Sequence, residues 1–86
     1  MSKFEVEISK QAERQIAKLP KRDKIKILDT IEQLGNEPRP NGYKKLVGFS
    51  DFFRYRVGNY RIIYQIADDV LIVTVIEVKR RNESTY

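Results

Sequence analysis

Between Phe53 and Tyr64 the chain reads Phe-Arg-Tyr-Arg-Val-Gly-Asn-Tyr-Arg-Ile-Ile-Tyr, an alternation interrupted once, at Gly58-Asn59. The period of two is that of half-buried strands, and a two-residue loop containing glycine is the strongest short-range signal for a β-hairpin. The loop length sets the register: Val57 opposite Tyr60, Arg56 opposite Arg61, Tyr55 opposite Ile62, Arg54 opposite Ile63 and Phe53 opposite Tyr64. Phe53, Tyr55, Val57, Tyr60, Ile62 and Tyr64 then share one face, while Arg54, Arg56 and Arg61 share the other. Any fold adopted by this chain must cover the aromatic face and leave room for the basic one.

The rest of the sequence supplies the cover. Phe4, Val6 and Ile8 alternate with Glu5 and Glu7, which predicts a first strand. Ser9 suits a helix N-cap ahead of Ala12, Ile16 and Leu19 at helical spacing, and Pro20 stops that helix. A second helix is expected from Lys21 to Leu34, with Ile27, Ile31 and Leu34 on one stripe and Gly35 as the residue just past its end. Asn36 to Gly42 is rich in turn formers and reads as a loop, with Tyr43 and Phe49 as loop anchors. Strands are predicted at Lys44–Val47, Phe53–Val57, Tyr60–Ile66 and Val70–Val78, with Ala67-Asp68-Asp69 turning between the last two. The order β-α-α-β-β-β-β implies an α+β domain, a helical hairpin on one face of a largely antiparallel twisted sheet. Residues 1–86 form a single domain in this reading, and 79–86 leave the sheet as an exposed basic tail ending in Tyr86.

Composition narrows the chemistry. Eighty-six residues, 41% of them hydrophobic, suffice for one small core without crosslinks. Cysteine and histidine are both missing, which excludes disulfides, the usual zinc constellations, thiol nucleophiles and imidazole acid–base catalysis. No cofactor or metal site is expected, and Asp68-Asp69 is a turn pair. A net charge of +5 favours a polyanionic partner. Lys3 is followed by strand-like alternation where a secretion signal needs a continuous apolar run, and no apolar run is long enough to span a bilayer. A cytoplasmic protein without membrane partner is the expectation.

The arginine face admits two readings. Like charges directly opposite on a sheet disfavour pairing, so Arg56 beside Arg61 calls for exposure to water, a nearby acid or a bound anion. Extending the meander by a three-residue turn sets Val75 opposite Arg61 and Glu77 diagonally beyond it, so Glu77 is either a counterion or a base. Lys79 and Arg80 add positive charge near the same edge, and converging guanidiniums suit phosphate. Tyr86 either stacks on an unpaired base or is a frayed terminus. The series Lys10, Arg14, Lys18, Lys21, Arg22, Lys24 and Lys26 is a solvated helix face or a docking surface for a nucleic-acid assembly.

The sequence resembles the RelE/ParE toxin superfamily of toxin–antitoxin pairs over nearly its whole length. The resemblance is carried by the early strand, the Leu19-Pro20 break, Lys45-Leu46-Val47-Gly48, the stretch from Phe53 to Tyr64, and Lys79-Arg80-Arg81 with Tyr86. It implies a RelE-like mRNA interferase, a ribosome-dependent and metal-independent endoribonuclease. Such an enzyme cleaves mRNA in the A site through the substrate's own 2′-hydroxyl, leaving 2′,3′-cyclic phosphate and 5′-hydroxyl ends. Matched by motif, Arg54 and Arg56 take the two basic positions of one strand, Arg61 the phosphate-binding arginine, Arg80 the general-acid position and Tyr86 the base-stacking tyrosine. Lys44, Lys45, Lys79 and Arg81 would bind RNA. Implied partners are a RelB-like antitoxin covering the basic sheet face, the 70S ribosome with mRNA, and operator DNA reached through the antitoxin. RelE-like enzymes commonly carry lysine where this chain has Arg54 and Arg56. The competing readings on the same fold are a ParE-like inhibitor of DNA gyrase and an inactive antitoxin-binding relic.

Overall fold

The computed structural model describes residues 3–46, 48 and 51–80. Strand β1 spans Glu5–Ile8, helix α1 Lys10–Ala17, helix α2 Lys21–Asn36, and strands β2 to β5 span Lys44–Lys45, Phe52–Val57, Tyr60–Ala67 and Ile72–Arg80. The five strands form one sheet in the order β1-β5-β4-β3-β2. β1 runs parallel to β5 and the other neighbours are antiparallel, which gives the α+β architecture expected from the element order.

Local chemistry accounts for the element ends. The Ser9 hydroxyl accepts from the Ala12 amide at 3.0 Å, capping α1, and worth about 1 kcal/mol in comparable helices. Pro20 precedes α2 as its N-cap, where its missing amide costs nothing. α2 continues two residues beyond the expected Leu34, so Gly35 is a buried helical residue rather than the residue past the end. Its carbonyl accepts from the Phe4 amide at 2.8 Å, which ties the start of β1 to the end of α2.

The helices cover one sheet face. Ala12 and Ile16 of α1 and Ile27, Ile31 and Leu34 of α2 pack on Phe53, Val57, Tyr60, Ile62, Tyr64, Ile66, Val73, Val75 and Val78. Tyr64 is fully enclosed and its hydroxyl donates to the Pro38 carbonyl at 2.6 Å, fastening the loop after α2. Burial pushes the Tyr64 phenol far up from its ordinary pKa, so it serves as a neutral donor. Arg39 completes the fastening, with Nη1 and Nη2 donating to Asp68 Oδ1 and Oδ2 at 3.1 and 2.8 Å while its guanidinium lies 5.7 Å from the Phe53 ring centre. Tyr43 packs against Phe53 with ring centres 5.8 Å apart, the anchoring role expected of it.

Several boundaries differ from the sequence-based expectation. β2 is Lys44–Lys45, and the remainder of the expected strand includes Val47, outside the described residues, as is Phe49. The β4–β5 turn occupies Asp68–Leu71, with Leu71 at a φ of 56°, so β5 begins at Ile72 and not Val70. Lys79 and Arg80 belong to β5 and not to a tail, while Arg81 and Tyr86 lie outside the described residues.

Candidate nucleic-acid interface

The β3–β4 hairpin has the register that its turn dictates, from Val57 opposite Tyr60 to Phe53 opposite Tyr64. Gly58, at a φ of 55°, supplies the positive φ that the first position of a tight hairpin turn requires. Arg56 therefore stands directly opposite Arg61, and Arg54 opposite Ile63, on the sheet face away from α1 and α2.

A bulge places the last strand. Ile63 pairs with Glu77 and Tyr64 with Val75, leaving Ile76 as an extra residue. Its freed backbone groups are taken by side chains from the helix layer. The Ser9 hydroxyl donates to the Ile76 carbonyl at 2.7 Å, and Gln15 Oε1 accepts from the Val78 amide at 2.6 Å. The bulge returns Val78 to the core and turns Glu77 and Lys79 onto the arginine face. Arg61 faces Lys79 across the ladder, a correction of the expected partner Val75; Glu77 is still diagonal to Arg61.

Two rows result. Arg56, Arg61 and Lys79 lie abreast on β3, β4 and β5, and Lys44, Arg54, Ile63 and Glu77 lie abreast in the next row. The only carboxylate in these rows, Glu77, is 3.2 Å from Lys79 Nζ. Its ion pair in the structure is thus with Lys79, where the sequence pointed to Arg61. Adjacent strands are about 4.8 Å apart, so the Arg56-Arg61-Lys79 row sets neighbouring cations within reach of one phosphate group. Among the described residues no group of three or more acidic side chains forms a metal-ligand cluster.

Not every predicted site residue joins this face. Lys45 pairs with Phe53, and Arg80 pairs with Tyr60, so both start from the opposite side of the sheet. Arg80 instead borders an open cleft of ≈ 610 Å³ together with Gln15, Lys18, Leu19, Pro20, Tyr60, Val78 and Lys79. The nearly buried Tyr60 donates its hydroxyl proton to Asp23 Oδ2 at 2.7 Å. That bond to the Asp23 carboxylate, reinforced by desolvation, holds the Tyr60 phenol above its ordinary pKa, and the nearby positive charge of Arg80 opposes the rise. Gln15, Asp23 and the cleft were not singled out by the sequence. The visible signal was the break in alternation between Val75 and Val78, which marks a bulge needing side-chain partners.

Comparison with known proteins identifies the family and the fold. The family described as ParE toxin of type II toxin-antitoxin system, parDE, matches residues 6–85. A Methanocaldococcus jannaschii protein assigned by name as toxin RelE1 is 32% identical, the match covering 98% of this chain and 96% of the relative. Among solved structures, RelE from the archaeal RelE–RelB complex of Pyrococcus horikoshii superposes with a TM-score of 0.83 at 29% identity, over 98% of this chain and 100% of that one. The Mycobacterium tuberculosis toxin–antitoxin complex RelBE2 contains a chain matching with a TM-score of 0.81 at 29% identity, over 91% of this chain and 98% of that one. The shared framework is two helices on an open, mostly antiparallel sheet.

Proposed function

Because the chain belongs to the ParE/RelE family of type II toxins, we propose that it is a RelE-like endoribonuclease that cleaves mRNA in the ribosomal A site and arrests translation in the cytoplasm. The observation carrying this reading is the Arg56-Arg61-Lys79 row, flanked by Arg54 and Lys44, on a sheet face left open by the helices. Attack of the RNA's own 2′-hydroxyl on the adjacent phosphorus forms a pentacovalent phosphorane. The 2′-hydroxyl proton passes to water, and the 5′-oxygen leaves and takes a proton back from water, giving a 2′,3′-cyclic phosphate and a 5′-hydroxyl end. Arg54, Arg56 and Arg61 orient the phosphate and stabilise the extra negative charge, a task needing no net proton exchange from groups with pKa above about 12. Glu77, already engaged by Lys79, serves as a counterion in this scheme. The general-acid position that resemblance assigns to Arg80 falls on the cleft side, and Tyr86, to which it assigns base stacking, lies outside the described residues.

The proposed partner is a RelB-like antitoxin that covers the basic face with acidic and apolar side chains, and through which the pair reaches operator DNA. Relatives solved as toxin–antitoxin complexes support the antitoxin partner. A second reading, inhibition of DNA gyrase without RNA cleavage, is favoured by the ParE description of the matching family. Induction in cells with mapping of mRNA 5′ ends separates the two. Cuts within translated codons that vanish in Arg61→Ala support the nuclease; intact transcripts with gyrase-dependent DNA damage support the second reading.

A further inference from the structure

The cleft beside α1 lies outside the row of the scissile phosphate, yet it is contiguous with it. Lys79 belongs to both, standing in the Arg56-Arg61 row and bordering the cleft. From Lys79 the positive charge continues to Arg80, one residue further along β5, and to Lys18 at the end of α1, both exposed. The other polar groups there are donors or hold donors in place. Gln15 has committed its carbonyl oxygen to the Val78 amide, so its NH₂ is what it offers a ligand. Tyr60 gives its proton to Asp23 and stands opposite Arg80 across the β4–β5 ladder, so the lone pairs left on its oxygen are beside the guanidinium at the cleft mouth.

We propose that this cleft is a second phosphate subsite, in which Lys18 and Arg80 hold the RNA phosphate next to the scissile one, Tyr60 and Asp23 acting as positioning residues for Arg80. The ligand class is single-stranded RNA, because the cation track turns continuously from the arginine face around the end of β5 and matches a chain bearing a charge at every unit. The inference rests on the nuclease reading for its substrate, and it gives Arg80 a binding role that an arginine performs better than proton donation.

The test uses the purified protein and a pentameric single-stranded RNA with one 2′-deoxy residue to prevent cleavage, followed by NMR of backbone amides and arginine Nε groups. Saturable shifts are expected at Lys79, Arg80 and the Gln15 side chain as well as on the arginine face. Lys18→Ala and Arg80→Ala should each weaken binding and flatten the log–log salt dependence by about 0.7. A neutral methylphosphonate at the phosphate beside the deoxy position should weaken wild type most, Arg80→Ala less, and the double variant Lys18→Ala/Arg80→Ala not at all. Tyr60→Phe should weaken wild type and leave Arg80→Ala unchanged, which a purely structural tyrosine would not do. Absence of saturable binding, shifts confined to the arginine face, or additive effects of Tyr60→Phe and Arg80→Ala would overturn the proposal. So would displacement of shifts to the cleft only by an acidic peptide. Binding through the cleft without cleavage on ribosomes would sink the nuclease reading and leave the subsite standing. Cleavage dependent on Arg61 but indifferent to Lys18 and Arg80 would do the reverse.

Discussion

Replacing Arg56 by glutamine should stabilise the fold while weakening its function. Arg56 is exposed and stands opposite Arg61, with Lys79 one strand further on, and among the described residues it has no carboxylate in salt-bridge range. Two unit charges about 5 Å apart in water repel by about 0.8 kcal/mol. Screening at physiological salt removes about half of that, and the more distant Lys79 adds about 0.1 kcal/mol by the same arithmetic. A net gain of about 0.5 kcal/mol follows, inside the range of about 0.2–1 kcal/mol for such cross-strand pairs. For a domain of this size it corresponds to a rise of about 2–4 °C in Tm. Thermal unfolding of wild type and Arg56→Gln at low and high salt measures it. The gain should shrink as salt rises, and the variant should cleave ribosome-bound mRNA more slowly, the trade-off expected where a site holds like charges together. An unchanged or lower Tm at low salt would refute the reasoning, since it would mean that the cation row is already neutralised from within.

Other consequences follow from individual contacts. Tyr64→Phe removes the donor to the buried Pro38 carbonyl and should cost about 1–3 kcal/mol; an unchanged urea midpoint would contradict that assignment. Ser9→Ala loses both the α1 cap and the partner of the Ile76 carbonyl, so it should cost at least the about 1 kcal/mol of a cap alone, with faster hydrogen exchange in the second half of β5. The Arg39 guanidinium holds the Asp68 carboxyl below its usual pKa. The folded state therefore gains from this pair above the ordinary carboxylate range and loses the gain as pH falls through the folded value. The stability difference between wild type and Asp68→Asn should accordingly be present at neutral pH and fade on acidification; a difference independent of pH would remove the pair from the account.

The hairpin was readable because a two-residue turn settles register locally, and every pair from Val57-Tyr60 to Phe53-Tyr64 followed from it. The β4–β5 register was not, because it depends on tertiary hydrogen bonds. The turn sits one residue later and is one residue longer than expected, and the bulge adds another residue, supported by Ser9 and Gln15 from a distant part of the chain. These shifts sum to an even number, which is why Glu77 still lies diagonal to Arg61 although Lys79 took the place expected of Val75. Alternation puts Lys79 and Arg80 on opposite faces, so their joint assignment to one edge concealed the division between arginine face and cleft. Gly35 reads as a helix terminator by type, but the amide of Phe4 meets its carbonyl inside the core, and that contact keeps it helical.

The central claim is that Arg61, at the middle of the cation row, stabilises charge on a phosphorus under attack. Single-turnover cleavage of mRNA on programmed ribosomes, with saturating wild type or Arg61→Ala, measures this directly. The account predicts a loss on the order of 10²-fold in the rate at saturation, with 2′,3′-cyclic phosphate ends on whatever product forms. An Arg61→Ala protein that cuts at the wild-type rate, or a wild type that leaves ribosome-bound mRNA intact, would contradict it.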